Sequence, residues 1–173
     1  EIFKKEKPDF VVHFAAESHV DKSIENPLPF LMTNIIWTYS LLEASKYVWI
    51  ERFHLVSTDE VFWELPLDDM SIKFTENTNY DPQNPYSASK AWADHLVRSY
   101  KYTYGMNITI SNCTNNIWPY QFPEKIVPYF VLRLLHNLPL TVHGDGTNMR
   151  DYIHVSDHCE WIDKVLHKYS LIS

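Results

Sequence analysis

Three short apolar runs set the strongest limit on the fold: DFVVHFAA at 9–16, RFHLVS at 52–57 and NITISNC at 107–113. The length and β-branched content of the first fit a buried strand of a parallel sheet, and the other two read as further strands. Between them lie segments of helical character. Leu31, Ile35, Tyr39 and Leu42 recur at helical spacing and predict a helix over about 30–46. Asn84-Pro85 opens a second helix, with Asn as N-cap and Pro at the first helical position, and Gly105 closes it after Tyr104. A third helix is expected over 124–136, a short strand and turn over 140–146, and a last helix with Ser156 as N-cap. Residues 17–27 and 58–83 read as loops. Strands alternating with helices predict an α/β fold, a parallel sheet flanked by helices.

Composition narrows the function. The chain has 173 residues with a net charge of −7, which disfavours nucleic acid and anionic membrane surfaces. No apolar run approaches the ~18 residues of a membrane span. Two cysteines, Cys113 and Cys159, are too few for a disulfide scaffold. EIFKKEKPDF shows no leader. Together these predict a cytoplasmic protein.

Two constellations carry chemistry. Tyr86 and Lys90, four apart, share one helix face. A nearby ammonium favours tyrosinate and lets the phenol act as a base near neutral pH; the plain alternative is a surface pair. Thr58-Asp59-Glu60 follows the strand 52–57, at the carboxyl end where open α/β sheets bind ligands. Adjacent carboxyl groups can titrate apart and divide acid and base roles; the plain alternative is a solvated acidic loop. Asp157, His158 and Cys159 with His154 lack the further ligand pair that a zinc site needs, so no metal is expected. Cys113 reads as a core residue.

Taken together, HFAAESHVDKSI, VSTDEVF, NPYSASKAWADHLV, NCTNNIWPYQFPEKIVP and HGDGTNMRDYIHVSDH resemble the dTDP-glucose 4,6-dehydratase family of extended short-chain dehydrogenases/reductases. The resemblance covers nearly the whole chain and implies a Rossmann-like domain over 1–116 and the start of a nucleotide-sugar-binding region over 117–173. The family's glycine-rich phosphate turn and most of its substrate domain have no counterpart here. The fold is therefore expected to be incomplete, and the isolated chain to bind NAD weakly and not turn over.

The resemblance implies a role for each matching residue. Tyr86 takes the proton of the glucose 4-hydroxyl as hydride leaves C4 for NAD. Lys90 lowers the Tyr86 pKa and binds the nicotinamide ribose. Glu60 removes the C5 proton, Asp59 protonates the departing 6-hydroxyl, and Thr58 hydrogen-bonds the 4-oxygen. Phe14, Ala15, Ala16, Glu17, Thr33 and Asn116 line the cofactor, as do Tyr86 and Lys90. Ser18 and Asn115 touch the sugar. Lys125, Ile126, Thr141, Val142, His143 and Arg150 hold the nucleotide diphosphate and base. A homodimer through a four-helix bundle of residues 28–46 and 85–104 is also implied. The alternatives are another nucleotide-sugar epimerase, decarboxylase or dehydratase, or a non-catalytic remnant. Paired Asp59 and Glu60 favour dehydration, because an epimerase has no use for them.

The tryptophans depart from the family. Trp37, Trp63 and Trp118 stand where its pattern carries glycine, Trp49 follows KYV where glycine is usual, and Trp92 and Trp161 occupy helix positions that favour small residues. Phe62 replaces a usual Tyr, a mild change. Six such large side chains are expected to overpack a dense core and to strain any turn that needs positive φ. Three glycines are also few, since average usage of about 7% would give roughly twelve. Codons GGA and UGA differ by one base, and some bacterial lineages read UGA as glycine. A gene of that kind, translated with UGA as tryptophan, accounts for both anomalies; genuine divergence is the alternative.

Overall fold

The computed structural model describes residues 1–168 except Trp63, Leu67, Met70 and His143. They form two compact units, residues 1–113 with the chain from Ile162, and residues 114–161.

The first unit is built on a three-stranded parallel sheet in the order β1 (Phe10–His13), β2 (Arg52–Thr58), β3 (Ile108–Cys113). Register runs from Phe10 opposite Arg52 and from Phe53 opposite Ile108. All seven residues of the central β2 are buried, and its polar His54 is satisfied by Thr109 Oγ1 at 2.8 Å and Ser111 Oγ at 3.0 Å on β3. The α/β architecture with a helix-flanked parallel sheet is the one expected. Helices α1 (Ile2–Glu6), α2 (Val20–Glu25), α3 (Leu28–Leu31), α4 (Thr38–Val48) and α5 (Pro85–Tyr104) belong to this unit. Leu42 of α4, Phe53 and Leu55 of β2, Ala93, Val97 and Tyr100 of α5, Met106, and Ile108 of β3 form the core.

α5 follows the expected caps. Asn84 accepts the Ser87 N–H at 2.8 Å, and Ser87 Oγ in turn accepts the Asn84 N–H at 3.2 Å. Gly105 ends the helix at φ 70°, a left-handed position that suits glycine.

Other elements differ from the sequence reading. The first strand stops at His13, because Phe14–Ser18 leaves the sheet as an exposed segment. The 17–27 loop contains the short α2. The helix expected at 30–46 starts at Leu28 after Pro27 and is interrupted by a π-helical turn over Met32–Trp37. That extra residue per turn is where buried Asn34 sits.

The second unit holds β4 (Asn115–Ile117) paired in parallel with β5 (Tyr152–His154), and α6 (Ile126–Leu135). Neither strand was expected; each is three residues long, too short for a periodic signal. The strand expected over 140–146 is absent among the described residues there, and Thr141, Val142 and Gly144–Arg150 are exposed. α7 (Val155–Lys168) begins one residue before Ser156. Its first turn is capped instead by His154, whose Nδ1 accepts the Ser156 N–H at 3.3 Å.

The five tryptophans among the described residues do not overpack the core. Trp37, Trp49, Trp92, Trp118 and Trp161 are all exposed, at 44–67%. Trp63 lies outside the described residues. Backbone strain is found at Trp49 alone among these five: it terminates α4 at φ 57°, ψ 60°, in the left-handed region.

Candidate functional site

Because β1, β2 and β3 are parallel, their carboxyl ends meet at one edge of the sheet. The segments leaving β1 and β2 carry most of the expected residues of the first unit.

After β1 come Phe14, Ala15, Glu17 and Ser18, all exposed, with Ala16 half-buried. The backbone of Glu17 is clamped by Asn34, a residue the sequence reading missed. Asn34 Oδ1 accepts the Glu17 N–H at 2.9 Å, and Asn34 Nδ2 donates to the Glu17 carbonyl at 3.0 Å and to Ser89 Oγ at 2.8 Å. One buried amide thus ties the loop after β1 to the helix that bears Tyr86 and Lys90. A signal existed: Asn34 lies three residues after Leu31, on the apolar face, and a polar residue there must be hydrogen-bonded. Thr33, its neighbour in the π turn, is half-buried.

After β2, Thr58 is buried and Asp59 and Glu60 open a 3-10 turn, Asp59–Phe62, that keeps both carboxyl groups close to the strand end. Thr58 Oγ1 donates to Asp59 Oδ1 at 3.2 Å and accepts the Glu60 N–H at 3.3 Å. Asp59 and Glu60 are half-buried.

The first turns of α5 bring Tyr86, 8% exposed, and Lys90, 4% exposed, to the same place. The Tyr86 N–H donates to Ser23 Oγ at 3.2 Å, and its ring meets Phe30 edge-on. Burial holds the Tyr86 phenol well above its ordinary range; the Glu60 carboxylate adds to this, Asp59 contributes, and a hydrogen bond with Thr58 pulls the other way. That direction is opposite to the one expected from the Tyr–Lys spacing. The reason is the burial and the Glu60 carboxylate, which the spacing does not reveal; Lys90 Nζ donates to the Val56 carbonyl at 2.9 Å. Burial lowers the pKa of Lys90, against the pull of Asp94 and Cys113. His13, whose Nε2 meets Thr38 Oγ1 at 2.8 Å, is lowered to about 4 by burial and then by the Lys90 charge. It is a neutral imidazole at neutral pH. Cys113 is half-buried, with Sγ 3.3 Å from the Ser57 carbonyl.

The remaining candidates lie in the second unit. Asn115 Nδ2 donates to the Asp151 carbonyl at 3.2 Å. Asn116 donates to the Thr114 carbonyl at 3.1 Å, and its Oδ1 meets His158 Nδ1 at 2.9 Å. Lys125 stands at the N-cap of α6 and pairs with Glu124 at 3.5 Å, while Ile126 is exposed. Thr141, Val142 and Arg150 are exposed, and Arg150 donates to the Met149 carbonyl at 2.7 Å. His143 lies outside the described residues. Among the described residues no group of three or more His, Cys, Asp or Glu is arranged to hold a metal ion, and no helix is long and apolar enough to cross a membrane.

A sequence profile of the GDP-mannose 4,6 dehydratase family matches residues 1–171. The dTDP-glucose 4,6-dehydratase of Xanthomonas campestris pv. campestris (strain B100) is 48% identical over 176 residues, covering 96% of this chain and 49% of that protein. Among solved structures, dTDP-glucose 4,6-dehydratase from Bacillus anthracis in complex with NAD superposes with a TM-score of 0.86 at 41% identity, over 98% of this chain and 51% of that one. UDP-glucuronic acid 4-epimerase from Bacillus cereus, in complex with UDP-glucuronic acid and NAD, reaches a TM-score of 0.88 at 28% identity, over 95% and 51%. The chain spans about half the length of the curated relatives it matches. From the sheet edge, the residues gathered there and these matches, the chain belongs to the GDP-mannose 4,6 dehydratase family.

Proposed function

We propose that this chain carries the catalytic centre of an NAD-dependent nucleotide-sugar dehydratase that converts dTDP-glucose to dTDP-4-keto-6-deoxyglucose. The observation that carries the reading is the coupling of one buried phenol, Tyr86, to Thr58, Asp59 and Glu60 at the end of β2. Fold alone does not choose between dehydratase and epimerase, since an epimerase superposes equally well. Two carboxyl groups beside the phenol support elimination of water, which needs a base at C5 and an acid at O6.

The residues present fit the cofactor. Phe14–Glu17 is an exposed segment at the carboxyl edge of a parallel sheet, with its backbone held by Asn34. Phe14, Ala15, Ala16, Glu17, Thr33, Tyr86, Lys90 and Asn116 would hold NAD. When bound, NAD supplies hydride acceptance at C4 and hydride return to C6. Tyr86 removes the proton of the 4-hydroxyl, and Thr58 orients the 4-oxygen. For the phenol to act as a base its pKa must fall from its present value, and Lys90 is the nearby cation able to lower it. Glu60 removes the C5 proton, acidified by the 4-keto group, and Asp59 protonates the departing 6-hydroxyl. Ser18 and Asn115 contact the sugar. Lys125, Ile126, Thr141, Val142, His143 and Arg150 hold the nucleotide, where the cations and the α6 N-terminus suit a diphosphate.

A homodimer is part of the proposal. Leu28, Leu31, Met32, Ile36, Trp37 and Tyr39 leave apolar surface exposed along the helical segment expected to pair. A cytoplasmic location is supported by two free thiols, Cys113 and Cys159.

The test is Glu60→Gln in the full-length protein with dTDP-glucose. NADH absorbance should rise and persist while water loss falls steeply. Equal loss of C4 oxidation and water loss removes the role assigned to Glu60.

A further inference from the structure

Asp94 is fully buried on α5, one helical turn beyond Lys90, itself one turn beyond Tyr86. A buried carboxyl group needs compensation. Tyr80 Oη donates to Asp94 Oδ2 at 3.0 Å and Asn112 Nδ2 donates to the same oxygen at 3.3 Å. Both partners are donors, the arrangement that an ionised carboxylate accepts. Oδ1 makes no hydrogen bond. Burial raises the Asp94 pKa above the usual carboxylate range, and Ser57, Tyr80, the Lys90 charge and Asn112 pull against it. Asp94 thus has more negative charge than its hydrogen bonds use.

Lys90 has the complementary need. It is nearly as deeply buried, and its ammonium donates to one backbone carbonyl, that of Val56. The titratable groups facing it are few. On β1 stands His13, neutral at neutral pH. On β3 stands Cys113, which favours the charged lysine. On its own helix stands Asp94, the strongest influence opposing burial. Around Asp94, Tyr80 comes from the preceding loop with Arg98 stacked on its ring, Ser57 from β2 and Asn112 from β3.

We propose that Asp94 is a positioning residue: a buried counter-charge, set by Tyr80 and Asn112, that keeps Lys90 an ammonium and so available to Tyr86. The inference rests on the dehydratase reading for its consequence but not for its geometry. A lysine at this depth without Asp94 would shed its proton, and a neutral Lys90 cannot stabilise tyrosinate.

Asp94→Asn, nearly isosteric, tests it in the full-length protein. The Lys90 ε-resonance of 13C-lysine-labelled protein, assigned through Lys90→Arg, reports protonation without substrate. Its titration should move down by about one unit or more, and the acid limb of the C4-oxidation profile should move up, slowing oxidation about tenfold at neutral pH. An unmoved lysine titration overturns the proposal, even if activity falls. A wild-type protein that fails to dehydrate dTDP-glucose overturns the functional reading instead and leaves the lysine readout intact. Should Asp94→Asn not fold, Lys90→Met combined with Asp94→Leu decides: recovery of folding supports a coupled pair, and no recovery refutes it.

Discussion

Replacing Asn84 by alanine should loosen the turn that carries the phenol. Asn84 Oδ1 accepts the Ser87 N–H at 2.8 Å, and Ser87 is fully buried, so water cannot easily replace the lost acceptor. An N-cap loss costs about 1 kcal/mol, and up to ~2 where the orphaned donor is buried. The reciprocal bond, Asn84 N–H to Ser87 Oγ, survives and limits the damage. For a chain of this length each kilocalorie corresponds to roughly 2–4 °C, giving a fall in Tm of about 2–8 °C. Asn84→Gly, compatible with the extended φ of −141°, should cost only a few tenths of a kilocalorie. Urea denaturation of both variants reads the difference. Tyr86 is the second residue of the helix, so fraying should also slow C4 oxidation in the full-length protein with nucleotide affinity unchanged. An alanine variant no less stable than the glycine variant would refute the capping argument.

Stability should fall as pH drops from about 6.5 towards 4, because unfolded His13 takes a proton that the folded, buried ring refuses until about 4. Urea midpoints against pH should show that slope, and His13→Gln should flatten it. Arg52→Met should destabilise by about 2 kcal/mol, since Arg52 is 7% exposed and donates to the Val165 and Leu166 carbonyls at 2.5 and 2.7 Å. Chemical denaturation checks it; a change under about 0.5 kcal/mol counts against a stabilising role for these two hydrogen bonds. In the gene, the codons for Trp37, Trp49, Trp63, Trp92, Trp118 and Trp161 should be UGA, and peptides of the native protein should carry glycine there. UGG codons end that account.

The legible parts of the molecule were those with local signatures. β2 was readable as a short segment around Phe53, Leu55 and Val56 that runs into a long polar loop, and α5 because Asn84-Pro85 and Gly105 mark its ends chemically. The shared helix face of Tyr86 and Lys90 was legible from their spacing, and the place of Asp59 and Glu60 at a strand end from the run before them; the roles proposed for them came from the family resemblance. What stayed hidden depends on tertiary context. The π turn at Met32–Trp37 and the Asn34 clamp arise from closure of the loop after β1 onto α5. β4 and β5 are too short to show a period. The tryptophans looked like core residues by size, yet five lie on the surface, where only backbone geometry at Trp49 records the misfit. The Tyr86 pKa ran opposite to expectation because spacing gives the partners on a helix face and neither the burial nor the Glu60 carboxylate that push it up.

Dehydration through internal hydride return can be followed with an isotope. Given dTDP-glucose bearing deuterium at C4, the full-length protein should deliver the label to C6 of the 4-keto-6-deoxy product, as expected if Tyr86, Asp59 and Glu60 act on one sugar ring. Label returned to C4 with no water lost would mean epimerase chemistry and would contradict the account.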